Sequence, residues 1–235
     1  MERKLSIGAD AGYGDYTLSD NLINYFTYKG NSFQYANVQL NYITDTDLFF
    51  GNVFYGQSKL LPDINLSNYK YNYLNFKDLS LSAEYFHKIL KIAKTLNVYF
   101  GAAYGLQVTD KIENYRSNLW AYANGFKECG EVTYAIFSIN ALISYRMKNY
   151  LVLCKSGYSL LNYSGRADDS FTGLYNKVYF VNNYTNYQLS LSCIRRVSDR
   201  LDLKIEYFTS YEDYKYSTDF RILKKIASFG IYYKL

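Results

Sequence analysis

The sequence predicts an all-β fold: one antiparallel up-and-down transmembrane β-barrel of about ten strands, with eight or twelve as the alternative counts. Three observations carry that reading. Apolar and polar side chains alternate with period two over segment after segment, as strand geometry requires when the two faces meet different surroundings. The connections between these segments are alternately short and long. Aromatic residues make up 20% of the chain, with 30 Tyr and 15 Phe, too many for a disordered polymer. A mean hydropathy of −0.26 is at the same time too low for a chain that is apolar all round.

The first strand is expected near Lys4 to Asp15, where Leu5, Ile7, Ala9, Ala11 and Tyr13 share one face against Ser6, Gly8, Asp10, Gly12 and Gly14. A second, near Ser32 to Thr44, sets Ala36, Val38, Leu40 and Tyr42 against Asn37, Gln39 and Asn41. The turn DTD (Asp45 to Asp47) leads into a third strand near Leu48 to Gln57. The fourth, near Lys77 to Leu90, offers Leu79, Leu81, Ala83 and Tyr85 against Ser80, Ser82 and Glu84. The fifth, LNVYFGAAYGLQ (Leu96 to Gln107), has a continuous apolar stripe on one parity and a smaller, more polar face on the other.

The sixth strand is expected near Glu131 to Arg146, and it reverses through MKN into a seventh near Tyr150 to Tyr163. The eighth, near Val178 to Arg195, reverses at SDR into a ninth near Leu201 to Tyr211. A tenth runs to the end, with Ala227, Phe229, Ile231, Tyr233 and Leu235 opposite Ser228, Gly230, Tyr232 and Lys234. Spans of roughly 10 to 14 residues suit tilted membrane strands. The most apolar stretch, YAIFSINALISY (Tyr134 to Tyr145), is too short and too polar for a membrane helix.

Short turns at 45–47, 90–94, 147–149 and 198–200 fall at one end, and long segments at 16–31, 58–76, 108–130, 165–177 and 212–218 at the other. A soluble sandwich has no reason to sort its loops in this way. A membrane barrel does, with short turns inside and long loops outside, and its apolar stripes then face lipid. The C-terminal SFGIYYKL resembles the assembly signal of bacterial outer-membrane β-barrels through Ser228, Gly230, Tyr233 and Leu235, with Leu where the family ends on Phe. The resemblance implies a bacterial outer-membrane location, a lipopolysaccharide and lipid environment, and handling by the barrel-assembly machinery. No apolar signal region precedes the first strand, so for an exported barrel the numbering is expected to begin after a removed signal. No linker divides the chain, and residues 1–235 are read as one barrel domain.

The formal charge of +5 comes from 26 Lys and Arg against 21 Asp and Glu spread evenly, so nucleic acid is not an expected partner. Cys129, Cys154 and Cys193 lack metal spacing, and neither a metal nor a cofactor is expected. Cys154 and Cys193 are read as small lipid-facing residues, a cross-strand disulfide being the alternative. With the apolar parity outside, the lumen is expected to hold Asp10, Glu84, Lys88, Arg146, Lys155, Lys204 and Glu206 among Ser, Asn, Gln and Gly. Charges inside a narrow tube pair with each other, so the expected lumen is plugged or crossed by a thin water path.

His87 is the single histidine, and by parity it lies outside, at the short-turn end. It reads as an interfacial residue, because lipid-A deacylases need their histidine near the outer leaflet and omptin-type proteases need one beside acidic pairs at the outer rim. Asp168 and Asp169 stand in an outer loop without a histidine. The segment around Pro62 and the loop holding Trp120 combine aromatic and polar residues, a composition suited to protein or glycan contact, or to a tyrosine girdle. GYGDY (Gly12 to Tyr16) is no phosphate loop, since no helix follows. The leading expectation is a non-enzymatic structural or accessory barrel that presents its loops or lipid face to a protein partner of the envelope. A narrow channel for ions or small solutes is the second, and a lipid-A hydrolase or protease the third.

Overall fold

The computed structural model describes residues 4–20, 26–62, 74–113, 130–167, 176–180, 184–216 and 218–235. All its regular structure is strand: β1 (Lys4–Asp20), β2 (Phe26–Ile43), β3 (Asp47–Pro62), β4 (Leu74–Lys91), β5 (Leu96–Glu113), β6 (Gly130–Arg146), β7 (Tyr150–Ala167), β8 (Asn176–Phe180), β9 (Tyr184–Arg196), β10 (Leu201–Tyr216) and β11 (Thr218–Lys234). Every pairing is antiparallel, and the β6–β7 and β1–β11 ladders close the sheet on itself. β8 pairs with residues 163–167 of β7 and β9 with residues 150–158, so the two are successive lengths of one staff of the barrel. The ring therefore has ten positions.

The short turns are set by local chemistry. The Thr44 hydroxyl accepts hydrogen bonds from the Asp47 amide at 2.8 Å and the Thr46 amide at 3.3 Å, and Ser198 Oγ likewise accepts from the amides of Arg200 and Leu201. Such side-chain acceptors satisfy backbone donors that a tight turn leaves out of the ladder. The opposite end departs from the expected long loops. Asp20 pairs with Phe26 and Tyr216 with Thr218, so pairing continues far into the segments 16–31 and 212–218. These segments carry no clean apolar–polar alternation, while their Tyr, Thr and Phe still favour extended backbone.

In β5 the apolar parity faces outward: Phe100 and Tyr104 are about half exposed, whereas Tyr99 and Gln107 are buried. The same holds around the ring. Tyr85, Tyr145, Tyr150 and Tyr233 form a lower girdle on the outer surface, and Tyr13, Tyr55, Tyr104, Tyr158 and Tyr187 an upper one, with Leu, Ile, Val and Ala between. From Tyr150 to Tyr158 the strand runs about 26 Å at roughly 3.3 Å per residue, or about 20 Å along the membrane normal at a tilt near 40°. That is close to the roughly 25 Å apolar band of a membrane barrel.

The core sits inside the tube, and it is less polar than the sequence suggests. Leu48, Phe86, Tyr99 and Leu142 form a buried inward cluster near the short turns, flanked by Ile43, Phe50 and Leu153. At the other end, Tyr16 stacks on Phe33 at 5.6 Å, and Phe33 and Tyr35 pack against Phe54. A ten-position ring is narrow enough for side chains from facing walls to meet, and apolar ones gain by leaving water at about 25 cal/mol per Å². Glycine provides the space: a Cβ at Gly56 would fall on the Phe33 ring.

Candidate functional site

The waist of the lumen is built on the seam between the first and last strands. Gly8 lies opposite Tyr232 and Asp10 opposite Gly230, so each large inward side chain faces a position with none. A Cβ at Gly8 would strike the Tyr232 ring and one at Gly230 the Asp10 carboxylate. Tyr232 Oη donates to Asp10 at 2.7 Å and lies 2.6 Å from Gln39 Oε1. Lys204, reaching in from β10, bonds Glu206 at 2.7 Å, approaches Asp10 at 3.5 Å, donates to Tyr232 Oη at 3.2 Å and stands 5.4 Å over its ring. Across the tube Lys155 bonds both oxygens of Glu84, at 2.9 and 3.0 Å, and Asn52 donates to the same carboxylate. Asp10, Glu84, Lys155, Lys204 and Glu206 thus meet in one layer.

Above that layer lies a charge cluster that sequence reasoning missed. Lys224 bonds Asp78 at 2.5 Å and Glu212 at 3.0 Å, all three being buried, and Gln107 donates to Asp78 at 3.3 Å. The signal was present in parity. Asp78 continues the inward row Ser80, Ser82 and Glu84, Glu212 continues Lys204 and Glu206, and Lys224 continues Ser228 and Gly230. Lys88 and Arg146 lie apart from both layers, at the short-turn mouth, where Lys88 Nζ donates to the Asp45 carbonyl and sits 5.9 Å over the Tyr99 ring.

The waist layer divides the interior into two chambers. The upper, about 180 Å³, is lined by Asn52, Asp78, Ser82, Gln107 and Lys224 among others. The lower, about 190 Å³, is lined by Leu48, Phe50, Leu142, Lys88 and Arg146 among others. Gln39, Lys155, Lys204 and Glu206 line both, so the partition between them is about one side chain thick.

His87 is on the outside at the short-turn end, as parity requires, and the structure gives it a partner. Its Nδ1 lies 2.8 Å from Asp47 Oδ1, which also accepts from Tyr85 Oη at 2.8 Å. The Thr46 hydroxyl first, then His87 and Tyr85, hold the Asp47 carboxyl down at about 2, at the turn below the lipid band. Cys154 lies opposite Leu191 and Cys193 opposite Val152; both thiols are free. In the terminal motif Ser228 and Gly230 point inward, Tyr233 joins the lower girdle and Leu235 ends the chain exposed. Trp120, Cys129, Asp168 and Asp169 lie outside the described residues.

No family model matches the chain, and no curated protein does. Among solved structures the chain is similar to the outer membrane protease OmpT from Escherichia coli, with a TM-score of 0.59 at 10% identity over 99% of this chain and 97% of that one. It also matches Neisserial surface protein A (NspA), with a TM-score of 0.41 at 13% identity over the full length of both. At 10% identity the likeness to the protease structure is one of fold alone. A closed ring that turns its apolar residues outward between two aromatic girdles needs lipid around it, and this chain is a ten-stranded β-barrel of the bacterial outer-membrane type.

Proposed function

We propose that this protein is a non-enzymatic outer-membrane barrel that acts through its outer surface, as a structural or accessory subunit presenting its extracellular loops or lipid face to a protein of the envelope. The observation that supports this reading is the filled waist. Lys204 pairs with Asp10 and Glu206, Lys155 pairs with Glu84, and Tyr232 donates to Asp10, so every charge of the waist has a partner in the lumen. Displacing any member strands a buried charge, which costs about 3–5 kcal/mol. That cost keeps the waist shut to hydrated ions at rest and leaves the outer surface as the working part. Lipopolysaccharide and phospholipid supply the solvent of the girdled band, and the barrel-assembly machinery is its partner during insertion.

A narrow ion or solute channel is the second reading, favoured by the thinness of the partition between the chambers. One experiment separates the two. In planar bilayers the refolded barrel is expected to give no steady current above the protein-free membrane. A stable, ion-selective conductance would overturn the accessory reading in favour of the channel. A stoichiometric second protein retained through purification in mild detergent would then identify the partner, whereas repeated isolation as a bare monomer would count against one.

A further inference from the structure

We propose that the lower chamber is a binding site for a small amphiphilic anion, an acyl or aryl carboxylate that enters from the short-turn end. The inference is independent of whether the barrel acts through its surface. Inward side chains of a membrane barrel face water, yet one wall of this chamber is Ile43, Leu48, Phe50, Leu142, Leu153 and Ile194. Lipid contact cannot explain these residues, because the lipid-facing parity is the other one. Part of the group packs on itself, but about 190 Å³ of space remains against it. An apolar cavity of about 150 Å³ accepts a benzene ring, so a ring or a short acyl chain fits here.

The chamber is not sealed. Asp45, Lys94 and Arg146, all exposed at the turn end, line the same space. The charges are sorted by depth. At the inner end Lys155 and Lys204 are matched by Glu84, Asp10 and Glu206. At the mouth Lys88, Lys94 and Arg146 face only Asp45, and among the described residues none of the three has a carboxylate within 4.0 Å. Lys88 spends a donor on the Asp45 carbonyl and keeps its charge. Apolar surface at depth beneath uncompensated cations at the rim matches a ligand that is apolar at one end and anionic at the other. A bare inorganic anion would leave the apolar wall unused, and an amphiphilic cation would be repelled at the mouth.

The test is calorimetric titration of octanoate into the barrel in phosphatidylcholine nanodiscs, with empty nanodiscs as the reference. Saturable one-to-one binding is expected, weakened about tenfold when Lys94→Gln and Arg146→Gln are combined. Those two residues are exposed, so the double variant leaves the wall intact. Leu142→Trp, which fills the chamber, is expected to abolish binding while the unboiled barrel still migrates as a folded band. Heat no greater than that of empty nanodiscs would overturn the proposal, and so would equal affinity in the wild type and the double variant. Octylammonium binding as tightly as octanoate would reduce the site to apolar partition and overturn it too, as would inorganic phosphate matching octanoate.

Discussion

Lys224 is held between two carboxylates, and that arrangement makes it a sensitive reporter of how this lumen is stabilised. Asp78 and Glu212 are both buried beside it, so Lys224→Met would leave two like charges facing each other in the tube. A loss of about 3–5 kcal/mol is expected in urea unfolding of the refolded barrel. Arg196→Ala, which removes an exposed pair with Asp199, is expected to change stability by less than about 0.5 kcal/mol. Glycine positions make the complementary case. A side chain at Gly230 would occupy the place of the Asp10 carboxylate, so Gly230→Val should abolish or strongly reduce refolding, read as loss of the folded band on a gel. Gly105→Ala, whose added carbon would meet its nearest atoms at an ordinary 3.6 Å, should refold normally.

The strands were readable from period two wherever lipid lay on one side and the lumen on the other, as the parity of β5 shows. The readout failed where that contrast ended. In β1 and β10 pairing continues to Asp20 and Tyr216, past the last clear alternation of apolar and polar residues. In β7 a register shift opposite Phe137 and Ser138 leaves Leu160 and Leu161 both exposed, a flip that strict alternation cannot foresee. Leu48, Phe86 and Leu142 fall on the inward parity yet are apolar, a character that alternation alone, which gives apolar residues to lipid, does not anticipate. The height of the band is testable on one face. Ile205→Arg, at mid-band and largely exposed, should cost about 2–4 kcal/mol, whereas Gln57→Arg, two residues beyond the upper-girdle Tyr55, should cost about 0–1 kcal/mol. Equal costs in equilibrium unfolding would mean that the band is misplaced.

For the molecule as a whole, the waist network, the two chambers and the girdles all follow from one assignment, that the apolar parity of every staff of the ring faces outward. The seven lumen charges were identified from that assignment, and five of them share the waist, while Lys88 and Arg146 stand at the mouth. Of the Asp78–Lys224–Glu212 cluster only Glu212 falls in a segment read as loop, 212–218; Asp78 lies inside the expected fourth strand and Lys224 beyond that loop, each on the inward parity of its row, which was not followed far enough. The measurement that tests the assignment most directly is gel migration of the detergent-refolded protein with and without boiling. The unboiled barrel is expected to run faster than the boiled chain, since the closed ring stays compact in detergent. A protein that is soluble without detergent and shows no such shift would contradict it, and would place the apolar stripes inside.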